Sequence, residues 1–290
     1  MRMRGELMNK KISGAFYAPY VLWLILFVIS PVALIFYYSF FNVAHQFTLD
    51  NYKTFFESGT YLTMTANSVL YAFLITLIAL LISYPMAYYI SKLKHRNLWI
   101  LLVILPTWIN LLLKAYAFIG LLSHDGMVNN ISQWLGLGVH NMLFTNTSFI
   151  LVAAYIQIPF MILPIYNSLL DINDSYIRAS HDLGATAYQT FTKVILPLTK
   201  PGIQSGVQIV FIPSLSLFML SRLIGGNKII TLGTAVEEHF LTTMNWGMGS
   251  TIGVVLIISM AIVMFFTGNR RKRRGPMKWH LRHQNLVSFT

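Results

Sequence analysis

Six long apolar runs constrain this chain more than any other feature of its sequence. Crossing the ~30 Å hydrocarbon core of a bilayer takes about 20 apolar residues, because a helix rises 1.5 Å per residue. Only 10% of the 290 residues are charged, less than half of the roughly 25% typical of a soluble domain. We therefore predict an all-α membrane protein with six transmembrane helices. The six runs are Ala15–Phe41, Ala66–Ile90, Leu98–Leu122, Ser148–Leu170, Gly202–Leu220 and Gly249–Thr267.

Two of these runs depart from a simple apolar span. The fifth is interrupted by Pro213, a break that membrane helices tolerate where neighbours or water satisfy the freed carbonyl. The first follows a basic segment, as a signal peptide would. It is longer than the apolar part of a signal peptide, and no small-x-small cleavage site follows it. We expect the first run to be a retained anchor.

The positive charges predict which loops face the cytoplasm. Seventeen of the 21 Lys and Arg residues fall in the N-terminal segment, in the loops after the second and fourth runs, and in the tail. By the positive-inside rule, both termini and these loops are cytoplasmic. We divide the chain into a cytoplasmic segment (1–14), a membrane domain (15–270) and a basic tail (271–290). The Arg270–Arg274 cluster directly follows a span, which favours contact with anionic lipid over binding to nucleic acid.

One cytoplasmic loop, residues 171–200, carries a pattern for structure. Asn173 and its neighbours are N-cap residues, so a short helix from Tyr176 to Leu183 is expected, and Gly184 stands where a left-handed residue would end it. The run Thr186-Ala187-Tyr188-Gln189 then reads as a capping box that starts a second helix. We expect this helix to end near Leu196, because Pro197 and Pro201 should prevent its continuation into the fifth span.

The first of these short helices predicts a narrow face of small residues. Ile177, Ser180 and Gly184 share one side, and Ala179 and Leu183 lie beside it. A helix of eight or nine residues is marginal in isolation, so it needs a surface to pack on. That surface is either a cytoplasmic partner or the protein's own spans, and the pattern alone leaves both readings open.

The same loop resembles a known coupling element, the EAA loop of bacterial ABC importer permeases, whose pattern is E-A-A-x3-G-x9-I-x-L-P. Ala179, Gly184 and the Leu196-Pro197 pair match it, while Ser180 and Val194 are conservative replacements. Arg178 stands in place of the leading glutamate. The resemblance implies that the loop sits in a groove of an ATPase subunit. The implied ATPase-coupling residues are Arg178, Ala179, Ser180, Asp182, Gly184, Leu196 and Pro197.

The resemblance covers nearly the whole chain. Within the family, the chain is most similar to the permeases of spermidine/putrescine importers. It implies a MetI-like fold in a bacterial inner membrane and a path for polyamines. It also implies three kinds of partner: a second permease, a dimeric ABC ATPase and an external polyamine-binding protein. The stretches that carry it are Leu105–Asn110, Ser205–Gln208, Phe211–Pro213, Leu223–Gly226 and Asn245–Ser250.

The chain has no motif for binding ATP or for catalysis. The phosphate-binding pattern G-x4-G-K-[ST] does not occur, so a partner must bind and hydrolyse any ATP. The chain has no cysteine, and none of its eight histidines falls within a span to activate Ser250 as a nucleophile. Glu237-Glu238-His239 lacks the second histidine of a zinc helix. We expect a non-catalytic subunit with no cofactor or metal.

The spans predict a weak path for the substrate. None of the six runs contains Asp or Glu, so tight binding of a polycation is expected in a separate protein, and aromatic faces and polar groups would line the path. For each aromatic residue, packing or a place in an interfacial belt is the favoured alternative to a role in the path. The candidates are Trp108, Asn110, Tyr116, Ser214, Ser216 and Phe218, with Glu237 and Glu238 in the following external loop.

Two basic residues, Lys114 and Arg222, lie in or near the spans. An intramembrane charge is costly and is a functional candidate by default. We expect both to snorkel toward the outer surface, and Arg222 to pair with Glu237 or Glu238.

Two other functions remain open. The chain is either a permease of a related ABC importer for another small solute, or a stand-alone secondary transporter or channel. Ion-coupled carriers place ionisable residues near the bilayer midplane, and the absence of acids from the spans argues against that class.

Overall fold

The computed structural model describes Tyr17 and residues 19–226 and 228–268, and this part of the chain is helical with short connections. The N-terminal segment 1–14, the basic tail 271–290 and the Arg270–Arg274 cluster lie outside the described residues. The helices, in chain order, are α1 (Pro19–Tyr38), α2 (Asp50–Glu57), α3 (Gly59–Lys92), α4 (Arg96–Ile104), α5 (Leu111–Leu122), α6 (Met127–Trp134), α7 (Asn146–Leu170), α8 (Asp174–Asp182), α9 (Ala187–Ser214), α10 (Phe218–Gly225), α11 (Leu232–Glu237) and α12 (Trp246–Thr267).

The core of the molecule forms where α3, α7 and α9 pack together. Small residues allow the backbones to approach closely, as they do in many membrane helix pairs. A Cβ atom added to Gly202 of α9 would lie 2.6 Å from the carbonyl oxygen of Pro164 in α7. Polar side chains also join the helices: Ser83 Oγ donates a hydrogen bond to the Ile158 carbonyl (3.2 Å), and the Tyr84 and Thr199 hydroxyls lie 2.9 Å apart.

The helices differ sharply in how much of their surface this core covers. In the most apolar stretch of α7, 61% of the residues are buried. In α1 no residue is buried, and this helix packs mainly on α12. In a soluble protein such a bare apolar helix would be unstable. In a bilayer it is covered by lipid or by another subunit.

Five helical segments in the described part of the chain are long and apolar enough to cross a membrane, and a bent pair makes a sixth. The prediction of an all-helical protein is confirmed. The described residues contain five membrane-spanning candidates, or six if the bent pair is one span, where the sequence predicted six. The third predicted span, Leu98–Leu122, is not one helix. It breaks after the 3₁₀ turn Leu105–Trp108, because Pro106 lacks an N–H, and the Asn110 side chain accepts the Leu112 N–H (2.8 Å) to start α5.

The fifth span corrects another expectation. The helix that begins at Ala187 does not end near Leu196 but continues to Ser214. Its turn Phe191–Ile195 is a π-helix, in which the Leu196 N–H bonds to the Phe191 carbonyl. This wider turn directly precedes Pro197 and lets the chain pass it without a break. The bend comes later, where α10 turns 66° away from α9.

Candidate functional site

The coupling elbow, which we define as residues 173–200, is built by local hydrogen bonds. The Asn173 side chain accepts the Ser175 N–H (2.9 Å), so α8 begins two residues before the predicted Tyr176. Gly184 has φ +75°, which confirms the predicted left-handed residue. The Gly184 N–H bonds to the His181 carbonyl (2.9 Å) and the Ala185 N–H to the Ser180 carbonyl (3.0 Å), the Schellman pattern that closes a helix.

The second helix of the coupling elbow begins with the predicted capping box. The Thr186 hydroxyl accepts the Gln189 N–H (3.3 Å), and the Gln189 side chain accepts the Thr186 N–H (2.9 Å). Because both caps are formed within the loop itself, the bend between α8 and α9 does not depend on a partner.

Only part of the predicted small-residue face of α8 packs on the protein itself, because Ile177 is half-buried whereas Ala179, Leu183 and Gly184 are exposed. Ser180 is buried, and its hydroxyl donates to the Ile177 carbonyl (2.7 Å). The Thr190 hydroxyl lies 2.9 Å from the Ser180 hydroxyl oxygen. Because the single Ser180 proton is already donated to the Ile177 carbonyl, Thr190 is the donor of this second bond. α9 folds back over this face, so Ser180 fixes the angle between the two helices.

The outer surface of the coupling elbow is apolar at its tip. Leu183 is 88% exposed, and the side chains of Tyr176 and Tyr188 are also exposed. Arg178, Ala179 and Asp182 lie on the exposed surface as well, as do Leu196 and Pro197. A Cβ atom on Gly184 would meet nothing within 4 Å. The sequence analysis counted Gly184 among the coupling residues but gave Tyr176 and Tyr188 no such role, because their exposure depends on how α8 and α9 are placed.

The coupling elbow is anchored to the membrane bundle through α3. The Phe191 ring meets Tyr84 and Tyr88 edge-on at 5.8 and 5.6 Å between centroids. A cavity of about 150 Å³ beneath the elbow is lined by residues that include Lys92, Arg96 and Asp174. The loops after the second and fourth predicted spans therefore meet at one end of the bundle, as the charge pattern requires.

A second cluster, the charged pocket, lies at the opposite end of α3. Arg222 of α10 approaches Glu237 (Nε to Oε2, 3.1 Å) and Glu238 (Nη2 to Oε2, 3.5 Å). The predicted pairing is therefore present, and it involves both acids. Arg222 and Glu238 line a cavity of about 730 Å³ together with Tyr61 and His239.

His239 joins this pocket to α3. Its Nε2 atom lies 2.9 Å from the Tyr61 hydroxyl, and its Nδ1 atom lies 3.2 Å from the Thr243 hydroxyl. Burial lowers the pKa of the His239 imidazole below its usual range, and the nearby Glu238 carboxylate offsets part of this effect. Sequence reasoning missed Tyr61, because 178 residues separate it from His239.

The other predicted path residues do not line the charged pocket. Asn110 caps α5, and the buried Ser214 hydroxyl donates to the Val210 carbonyl (2.7 Å). Ser216 bonds to the Pro213 carbonyl in the same way (3.4 Å), so these polar groups serve local structure. The aromatic candidates Trp108, Tyr116 and Phe218 lie at the break of the third span or at the α9–α10 bend, with exposed rings.

Comparisons with known proteins agree with this architecture. The family model described as "binding-protein-dependent transport system inner membrane component" matches residues 8–274. The spermidine/putrescine transport system permease protein PotB of Haemophilus influenzae is 34% identical over 270 residues, covering 90% of this chain and 94% of the relative. PotB of Escherichia coli is 35% identical over 252 residues, covering 83% and 91%.

A solved structure shares the fold. A chain of a bacterial alginate ABC transporter, crystallised with its alginate-bound periplasmic protein, superposes with a TM-score of 0.79 at 18% identity. The match covers 94% of this chain and 98% of that one. At this low identity the likeness establishes the fold alone.

Proposed function

The chain belongs to the family of binding-protein-dependent transport system inner membrane components, and we propose that it is the permease subunit of an ATP-driven ABC importer for polyamines. The substrate class rests on the relatives named for spermidine and putrescine, which align with most of this chain. Its place is the bacterial inner membrane, where its apolar helices lie in the lipid bilayer.

The proposed assembly has three further components. A second, PotC-like permease completes the path, a PotA-like ABC ATPase dimer binds ATP, and a PotD-like capture protein delivers the polyamine from outside. In the proposed assembly, the permease itself carries no catalytic residue. The division into a membrane domain (15–270) flanked by cytoplasmic segments 1–14 and 271–290 remains part of the proposal.

The observation that carries the coupling mechanism is the unbroken helix α9. It starts at the glycine bend and runs 28 residues into the membrane bundle, from Ala187 to Ser214, a length of about 40 Å at 1.5 Å per residue. A continuous helix of this length gives a displacement of the coupling elbow a direct route to the helices of the path. The exposed Leu183 at the tip is the part offered to an ATPase groove.

Arg178 changes the expected chemistry of that contact. The family pattern places a glutamate at this position, whereas this chain presents an exposed guanidinium. An acidic group on the ATPase, rather than a basic one, is its natural partner. The remaining coupling residues of the proposal are Ala179, Ser180, Asp182, Gly184, Leu196 and Pro197.

The charged pocket is the proposed entry for the polyamine. Glu238 offers a carboxylate to a polycation and Tyr61 offers an aromatic face, while the more buried Glu237 holds Arg222 beside them. Arg222 already neutralises part of this charge, so arriving amines must compete with it. Such competition suits a pocket that receives cargo and passes it on. Trp108, Asn110, Tyr116, Ser214, Ser216 and Phe218 remain proposed path residues, and of these Asn110, Ser214 and Ser216 also make local hydrogen bonds.

Reconstitution tests this function. Proteoliposomes containing both permeases, the ATPase dimer and the capture protein should accumulate radiolabelled spermidine or putrescine when ATP is supplied. Leaving out any one component should abolish uptake. Uptake by this chain alone, without ATP, would replace the proposal with a stand-alone transporter. ATP-driven uptake of a different solute, without uptake of polyamines, would support an ABC importer but would contradict the proposed substrate.

A further inference from the structure

Lys114 is a charged residue in an otherwise apolar groove at the break of the third span. The groove has a volume of about 500 Å³ and is formed by α3, α4, its following 3₁₀ turn, α5 and α7. Val103, Pro106, Phe118 and Tyr155 are among its lining residues, and among the described residues that line it Lys114 is the only charged one. We call it the lysine groove.

The described part of the chain offers this ammonium no counter-ion. The ion pairs found there join His124 to Asp125 and Arg222 to its two glutamates, and none includes Lys114. None of the described candidate spans carries an acid, apart from Asp125 in the turn between α5 and α6. An uncompensated charge in a low-dielectric site is costly, so a partner group is expected.

Snorkelling to the outer surface does not explain Lys114. The residue lies eight positions before Leu122, the last residue of α5, or about 12 Å along the helix axis. It also shares the lysine groove with Met86, near the opposite end of α3, and with Pro159 in the middle of α7. The expectation that Lys114 sits near an outer span end is therefore wrong.

The surface around the lysine groove is apolar and uncovered. Trp108, Ile109, Leu113 and Tyr116 are all exposed, with Trp108 at 77%. Lipid tails would cover such a surface but would leave the ammonium without an anion at this depth. A protein segment that carries a carboxylate satisfies both the apolar rim and the charge.

We infer that a transmembrane segment of the second permease covers the lysine groove and places an Asp or Glu against Lys114. This inference rests on the proposed function, because it requires a heteromeric permease. The ion pair sets the register between the two subunits, a role for which buried polar pairs are well suited. It also neutralises a positive charge that would otherwise repel a polycation beside the path.

Cross-linking in the intact complex tests the contact directly. Dicyclohexylcarbodiimide, an apolar reagent, activates carboxylates within membranes, and an adjacent lysine then forms an amide bond. Mass spectrometry of the treated complex should find Lys114 joined to an acidic residue of the second permease. A product joining Lys114 to an anionic lipid or to the capture protein would overturn the inference.

Variants test the same contact by assembly. With Lys114→Glu, recovery of the second permease on a tagged chain should fall at least tenfold, while Lys114→Arg should retain it. Reversing the cross-linked acid to lysine should rescue Lys114→Glu. The control Lys53→Glu reverses an exposed lysine on α2 and should leave recovery unchanged. Thermal unfolding of Lys114→Met, purified as a single subunit, reports on folding separately from assembly.

The outcomes separate this inference from the proposed function. If the wild-type chain recovers no second permease at all, the proposed function fails. If it recovers one and takes up polyamine, but Lys114→Glu and Lys114→Met assemble like the wild type, only the lysine groove contact is refuted.

Discussion

The coupling elbow and the charged pocket lie at opposite ends of the bundle and are built in opposite ways. The bend of the elbow, from Asn173 to Thr190, is held by hydrogen bonds between residues ten or fewer positions apart, such as Ser180 with Thr190. The pocket joins α3, α10 and α11, and its Tyr61–His239 contact spans 178 positions. The elbow exposes an apolar tip, whereas the pocket pairs its charges internally.

This difference separates two kinds of task. A bend that carries its own caps keeps its shape while it is pushed, so it suits the transmission of force. A pocket assembled from distant helices changes shape when those helices move, so it suits the binding and release of cargo. The elbow should therefore respond to changes in backbone geometry and surface, and the pocket to changes in charge.

The largest effect is expected from Gly184→Val. A β-branched residue at φ +75° costs about 1–2 kcal/mol or more, and a change in the bend would relieve this strain. ATP-driven uptake in proteoliposomes should be lost. Gly184→Asn, which tolerates the left-handed region, is the matched control and should keep most of the activity. Wild-type uptake by the valine variant would show that the bend angle does not matter.

A change at the elbow tip should have the next largest effect. Leu183→Asp replaces an exposed apolar side chain and leaves the buried core intact, so the unfolding temperature should not change. The affinity for the ATPase should fall about tenfold, which corresponds to about 1.4 kcal/mol. Leu137→Asp, at an exposed leucine between α6 and α7, is the control. Equal ATPase binding by both variants would remove Leu183 from the interface.

In the charged pocket, Arg222→Gln should strengthen the attraction for polyamine. The change frees Glu237 and Glu238 from their internal partner, so KM for spermidine uptake should fall about threefold at low salt and less at high salt, because salt screens exposed charges. Lys228→Gln removes a charge from the neighbouring cavity without breaking a pair and serves as control. A higher KM for Arg222→Gln would contradict the competition between arginine and cargo.

The smallest effect is a pH dependence set by His239. Burial lowers the pKa of its imidazole, so the neutral form is favoured in the folded protein. Because the pKa is lowered in the folded protein, the unfolded chain takes up the proton first, so stability starts to fall as the pH drops below about 6.5, the ordinary value for histidine. At lower pH the folded imidazole is protonated too, which adds a positive charge beside Glu238 and Arg222. Spermidine uptake should drop about twofold between pH 7 and 5.5. His239→Gln should flatten this drop, and an unchanged pH profile would exclude the histidine as its cause.

The sequence predicted the coupling elbow well because its signals are local. Asn173, Gly184 and the Thr186 capping box act on residues within a few positions, and all three behave as expected. The end of α9 was predicted wrongly. Proline rules assume regular α-helical bonding, and the π turn at Phe191–Ile195 relieves that constraint.

The pocket and the lysine groove were only partly predictable. The Arg222 pairing followed from charge and proximity in sequence, but Tyr61 comes from a distant helix. The depth of Lys114 was misjudged because the hydropathy of Leu98–Leu122 hides the break at Asn110. Apolar content identifies a span, whereas capping and packing decide whether that span is one helix.

The most direct test of the central claim is a cross-link from the tip of the coupling elbow. The chain has no native cysteine, so Leu183→Cys introduces a single thiol at an exposed position. In the assembled transporter, a short thiol-to-amine reagent should join it to the ATPase, and Leu137→Cys should not. If Leu183→Cys gives no ATPase adduct in a complex that still takes up polyamine with ATP, the coupling elbow is not the contact that transmits force.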